Sequence, residues 1–415
     1  MIALLTSASV IFALAYQAAG RVLPRHRPVF WSGLLLRLLG GVAVGLVYHY
    51  HYGLGDTLLF FDQGVTLAQQ ASENPAAYLA CLWSGAVAAG DGIVFEPRTA
   101  FFIKLVSVVS LFTFSNYWAA SLWFSLAAFL CAWRLTKNIS MLLPEGRVAA
   151  YVAFLFFPSV VFWGSGIIKE AMALAGLCYL SGTVLKIHGR QKVHGEEWLL
   201  SLVSFWMLWN LKYYWCTVFV AVAASWLLVQ RLADGYRWPV GRSVGVWALV
   251  LAGLVTGSSF MHPNFYPHRL FAVIVENYQA FQSAGGPSVV VYPHLQPNFW
   301  GMFSSAPLAL ATGLFRPFVT DVHHWFSAFA ALENLALLAL LVTVPYRSAW
   351  NTHQRWRLMV MALAAYIFIL ATFLALSTPN LGTLVRYRVG FLPFFVLLLA
   401  VGNPWLRRLN QRWAR

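Results

Sequence analysis

Apolar runs of about 20 residues recur along the whole chain, and no other sequence feature restricts its fold so severely. A run of that length in hydrocarbon has no water to satisfy its backbone, so each must close its own hydrogen bonds as a helix. The runs are too long and too continuous for the strands of a membrane barrel. With 60% hydrophobic and 10% charged residues, against roughly 25% charged in soluble domains, a water-facing fold is excluded. The expected architecture is an all-α polytopic transmembrane helix bundle, one integral membrane domain over 1–415. Its spans, about eleven, are expected near 2–20, 30–48, 116–134, 148–164, 167–185, 197–211, 213–230, 243–261, 323–345, 358–376 and 389–403. The first has no basic stretch before it and reads as a retained span rather than a signal peptide. Cys81, Cys131, Cys178 and Cys216 have no metal-ligand spacing and read as small packing residues.

The net charge of +15 raises the question of nucleic acid, and its distribution answers it. Place Arg21, Arg25 and Arg27 in the cytoplasm and alternate sides from there. Arg134, Lys137 and Arg147 then fall inside, as do Lys186, Arg190 and Lys192, followed by Arg231, Arg237 and Arg242. Arg347, Arg355 and Arg357 fall inside too, as does a tail with Arg407, Arg408, Arg412 and Arg415. Every short inner loop is basic, as the orientation rule for membrane proteins requires. The excess charge is a topology signal, and no nucleic-acid partner is expected. The chain reads as a multi-pass protein of the cytoplasmic (inner) membrane with a cytoplasmic C-terminus, in contact with membrane lipids. Phe101 to Ser115 is apolar but short and carries Lys104. A crossing there would invert every later loop, so it is expected to be a re-entrant or interfacial helix.

Two outer segments stand out by length, 49–115 and 262–322. Both are rich in Gly, Pro, Asn, His and aromatic residues, and loops this long usually carry function or disorder. Their apolar content predicts interfacial helices lying against the membrane. The outer ionisable groups cluster at span ends, where unpaired charge is costly. Span 2 leads into His49, His51, Gly53, Gly55 and Asp56, with Asp62 following. Lys169 and Glu170 open span 5, Asn210 and Lys212 lie between spans 6 and 7, and Arg316 closes the second long segment. Asn380, Arg386, Tyr387 and Arg388 lead into the last span. Each also has a structural reading. Gly53 and Gly55 serve to turn the chain out of span 2, with Asp56 as a helix N-cap. Lys169 and Glu170 serve as an interfacial ion pair, and Arg316 as a partner of Glu333. His49, His51, His323 and His324 fit interfacial histidines better than metal ligands, and the Trp and Tyr residues form an aromatic belt.

A Gly-Asp motif in the first large outer loop after a span pair resembles the polytopic glycosyltransferases of the GT-C superfamily. So do Pro158-Ser159…Trp163…Ser165…Lys169-Glu170 and Arg386-Tyr387-Arg388…Pro393. The resemblance implies an enzyme moving a sugar from a polyprenyl-phosphate carrier to an extracytoplasmic glycan or lipid-linked acceptor. It implies Asp56 as catalytic base, with Asp62 second. Arg386, Arg388, Tyr387, Lys169, Lys212 and Arg316 would hold the lipid phosphate, supported by Glu170, Gly55, His51 and Asn380. An inverting transfer needs a carboxylate to take the acceptor's proton, and the departing phosphate needs fixed cations, for which the arginine fork is suited. Two departures stand out: an extra span before the usual first, and no Asp-x-Asp pair. No metal ligands are therefore assigned and no cofactor is required, a divalent cation being the one left open. A polymerase or ligase of lipid-linked oligosaccharides would instead rest on Arg269, Arg316, His262, His268 and His294. A transporter or flippase would rest on mid-span charges such as Arg37 and Glu333.

Overall fold

The computed structural model describes residues 2–53, 55–84, 86–87, 94–283, 285, 288–343 and 354–414. Arg347 and Arg415, with the side chains of His268, Arg355 and Arg412, lie outside the described residues. Among the described residues the regular structure is helical, joined by short turns, with an isolated bridge between Val289 and Asn380. In order, the helices are α1 Ile2–Gly20, α2 Arg27–Val47, α3 Asp56–Glu73, α4 Pro75–Trp83, α5 Pro97–Phe112 and α6 Tyr117–Leu142. There follow α7 Arg147–Tyr151, α8 Pro158–Trp163, α9 Lys169–His188, α10 Gly195–Tyr236, α11 Val240–Ser258 and α12 Pro267–Ser283. The last six are α13 Phe299–Phe315, α14 Trp325–Thr343, α15 Gln354–Ser377, α16 Leu381–Tyr387, α17 Leu392–Val401 and α18 Pro404–Ala414.

Among the described residues, eight helices are long and apolar enough to cross a membrane, or nine if the bent pair Leu381–Gly390 and Leu392–Val401 is one span. The chain is thus a multi-pass helical membrane protein by composition and element length. The difference from about eleven expected spans has three local causes. The predicted span 148–164 is broken, because α7 passes through a π turn at Val152–Phe156 and restarts at Pro158. Proline has no N–H to continue a ladder and suits a first helical position. The predicted spans 197–211 and 213–230 fall in one apolar element, α10, whose 42 residues are two helices meeting at a kink at Lys212 (φ −145°, ψ 67°), the point where the sequence divides them. The last predicted span is bent by 68°, with Pro393 in the first turn of α17.

Among the described residues, the two long segments 49–115 and 262–322 are largely helical. In 49–115, the amphipathic α3 packs along α5: Gly64 lies against Val106, and the Phe60 and Phe102 rings meet edge to face at 5.2 Å. In 262–322, α13 is an apolar helix that sequence patterning leaves in a loop, since Pro307 interrupts it and it has only 17 residues. A Cβ added at Gly313 would lie 2.6 Å from the Ala371 carbonyl, so glycine permits the close approach of α13 to α15.

The chain divides into two compact units, one of 1–138 with 154–213 and one of 139–153 with 214–415. The core of the first is organised by α2. Its glycines let neighbouring groups approach: Ser121 and Ser125 at Gly41, and the Tyr117 and Trp118 rings at Gly45. Close approach through small residues is how helices associate where lipid removes the hydrophobic drive. Arg37, also on α2 and buried, crosses to the break before α8. Its Nη2 donates to the Phe154 carbonyl at 2.8 Å, and its Nη1 to those of Val160 and Gly164 at 2.9 and 3.0 Å. In an α-helical ladder Phe154 would accept from residue 158, which is proline. The guanidinium supplies the missing donor. In the second unit α17 packs on α7, and the Gly390 carbonyl accepts from the buried Tyr366 hydroxyl at 2.8 Å.

Candidate functional site

The first unit gathers charge where α3, α5, α9 and the break in α10 meet. Helix α3 begins at Asp56. Its N-cap is Gly55, so Asp56 is the first helical residue rather than the cap that the sequence suggests. A carboxylate in a first turn complements the helix dipole. Gly55 is required by proximity, since a Cβ there would lie 2.5 Å from the Tyr48 ring. The Thr57 hydroxyl meets the Tyr117 hydroxyl at 2.8 Å and anchors the start of α3 to α6.

Lys169, at the N-terminus of α9, donates to the Thr99 hydroxyl at 2.7 Å and lies over the Phe60 ring at 4.6 Å. Its charged neighbours are Lys212, Glu170, Asp56 and Arg98. Glu170 is fully buried, and its carboxylate lies 2.7 Å from the ammonium of Lys212, itself buried. The sequence suggests Lys169 and Glu170 as a pair. Adjacent helical residues point about 100° apart, and Glu170 reaches Lys212 instead. Asp62 is six positions along α3, on another face from Asp56, and is exposed. His51 lies in the π turn Tyr48–Tyr52, its ring edge-on to Tyr52 at 5.1 Å.

Sequence reasoning passed over Arg98, Thr99 and Phe60. Arg98 pairs with Glu96 at 3.0 Å and stands 5.7 Å from the Tyr213 ring centre. Pro97, which opens α5, was the one local sign that Arg98 and Thr99 fall in an ordered first turn.

The second unit holds the remaining candidates. Asn380 caps α16, its side chain accepting from the Thr383 amide at 3.1 Å. The backbone on either side of it pairs with the second long segment: Val290 donates to Pro379 at 2.9 Å, and Leu381 to Ser288 at 3.0 Å. Arg386 is buried, with its guanidinium 6.0 Å from the Tyr387 ring. Arg388 is wholly buried and braces the lead-in to α17. Its Nη1 donates to the Arg316 carbonyl at 3.0 Å and its Nη2 to the Asn334 side chain at 2.7 Å, while Asn334 donates to the Pro317 carbonyl at 2.8 Å. Arg316 is bound through two nitrogens to Asp321, which also accepts from the Phe318 amide at 2.8 Å. The guanidinium holds the Asp321 carboxyl below its ordinary range. Glu333, expected as the partner of Arg316, is an electrostatic neighbour of Arg388 instead.

Asp56, Lys169, Glu170 and Lys212 therefore belong to one unit, and Arg316, Arg386 and Arg388 to the other. Among the described residues, no group of three or more His, Cys, Asp or Glu side chains is arranged to hold a metal ion. No family model, curated protein or solved structure matches the chain.

Proposed function

We propose that this protein is a glycosyltransferase of the cytoplasmic membrane. It transfers a sugar from a polyprenyl-phosphate carrier to a glycan or lipid-linked acceptor on the outer side. The observation that carries this reading is the seat of Lys169, which opens α9, over the ring of Phe60 at 4.6 Å, one turn beyond Asp56 on α3. A carboxylate that can receive a proton lies close to an ammonium that can face a phosphate. Lys212 is matched by Glu170 and Arg98 by Glu96, while the Lys169 ammonium donates to the neutral Thr99 hydroxyl, so Lys169 is the cation assigned first to the phosphate.

In the reaction, the acceptor hydroxyl attacks the anomeric carbon from the side opposite the phosphate. Its proton passes to Asp56, the bond between that carbon and the phosphate oxygen breaks, and polyprenyl phosphate leaves with the bonding pair. The charge that develops on the phosphate is met by Lys169, with Arg98 as a second cation of the same unit. In the second unit, Arg388 and Arg316 act as struts. The resemblance to the GT-C superfamily supports the same assignment, as does the basic character of the inner loops, which puts the site outside and the C-terminus in the cytoplasm.

The test is incubation of the purified protein with radiolabelled polyprenyl-phosphate hexoses and pentoses and a membrane lipid extract. The wild type gives a labelled product, and Asp56→Asn lowers its rate by roughly 10²-fold or more, the usual contribution of a positioned base. Absence of product from every donor, or full activity in Asp56→Asn, overturns the reading.

A further inference from the structure

Helix α18 follows α17 after a turn of two residues and has a role that sugar transfer does not use. Asn403 fixes that turn. Its side chain accepts from the Trp405 amide at 2.9 Å, capping α18, and donates to the Thr343 hydroxyl at 2.9 Å, on the last residue of α14. Helix α14 and the bent pair ending in α17 are both candidate spans, so α18 starts at the level where two of them end. Further along, the Asn410 side chain donates to the Pro144 carbonyl at 2.9 Å and fastens one side of α18 to the turn before α7.

Over 404–411, most of the other side chains of α18 are exposed. Trp405 and Leu409, one turn apart on one face, are 73% and 45% exposed. Arg408, three residues after Trp405, flanks that face, and Arg407 lies on the opposite side; both are exposed. The segment 404–415 contains four arginines and no acidic residue. An occupant of this surface must offer apolar depth to Trp405 and negative charge to the arginines, side by side at a span end. A second copy of the chain would bring the same arginines against them. The headgroup boundary of a bilayer meets both demands, since basic amphipathic helices lie in that plane and each arginine gains from anionic lipid.

We propose that α18 is an interfacial helix that docks on anionic phospholipid headgroups of the leaflet into which α14 and α17 run. Asn410 transmits that docking to the turn 144–146. The inference is independent of the proposed glycosyl transfer, and its test uses no sugar.

The full-length protein is placed in nanodiscs of phosphatidylcholine alone, or with about one third phosphatidylglycerol, and amide hydrogen exchange is followed over 404–414. Exchange is expected to slow in the anionic discs by roughly fivefold per engaged arginine, from about 1 kcal/mol each near a charged surface. The double variant Arg407→Gln/Arg408→Gln loses that difference while exchanging like the wild type in neutral discs. High salt does the same to the unmodified chain through screening, which keeps the test valid if the variant folds poorly. Equal exchange in both lipids overturns the proposal. So does slowing that persists in the double variant or at high salt, or protection that depends on two copies per disc.

Discussion

Glu170 and Lys212 are a buried pair at 2.7 Å, and burial makes the loss of one member costly. Lys212→Met leaves a carboxylate without its compensating charge, which typically destabilises by about 3–5 kcal/mol. The double variant Glu170→Leu/Lys212→Met removes both charges and should recover most of that loss in thermal unfolding of the detergent-solubilised protein. If the double variant is as unstable as the single one, the pair is not the cause. Asp321 gives a pH-dependent case. Its carboxyl is held below the ordinary value of 3.8 by Arg316, so its contribution is fully present above that value and is lost as pH falls through the depressed one. Acid unfolding below about pH 4 should therefore lose part of its steepness in Asp321→Asn, followed by tryptophan fluorescence. The individual charges were legible in the sequence because few occur outside the short basic loops. Their partners were not, because Glu170 and Lys212, or Arg388 and Asn334, meet through folding rather than spacing.

At the scale of elements, uninterrupted apolar runs were read well, and most differences coincide with proline. Pro158, Pro307 and Pro393 each fall in a stretch where composition predicts one structure and the helix breaks, bends or is short. The break at Pro158 is braced by Arg37, a residue that in isolation suggests a translocation path. Arg37→Leu removes donors from three buried carbonyls. It should cost several kcal/mol, since an unsatisfied buried acceptor costs about 1–3 kcal/mol. Pro158→Ala restores an amide that can serve Phe154 and should partly rescue Arg37→Leu. A double-mutant cycle of unfolding midpoints measures this coupling, and strict additivity would argue against it. A related expectation concerns α2. Gly45→Val drives a branched side chain into the Tyr117 and Trp118 rings and should destabilise by about 1–3 kcal/mol, as overpacking does.

At the scale of the whole molecule, class and sidedness rest on different physics. The helical membrane class follows from hydrocarbon length and backbone satisfaction, both properties of local sequence, and the long apolar helices agree with it. The division into two units follows from contacts between distant segments: 139–153 joins the C-terminal half although it lies far back in the chain. Periodicity carries no trace of that. The proposed sidedness makes a direct prediction. With the native cysteines replaced, a single cysteine at His51 should react with a membrane-impermeant maleimide in intact cells. One at Arg408 should react only after the membrane is opened. The reverse pattern would invert the arrangement and move Asp56 to the cytoplasm.

The two backbone bonds that join Ser288 and Val290 to residues on either side of Asn380 have a mechanical consequence. The long stretch between α11 and α14 is clasped near its middle to the foot of α16, one helical turn and a half before Arg386. A ligand that shifts that stretch must either break those two bonds or carry the arginine-bearing turn with it.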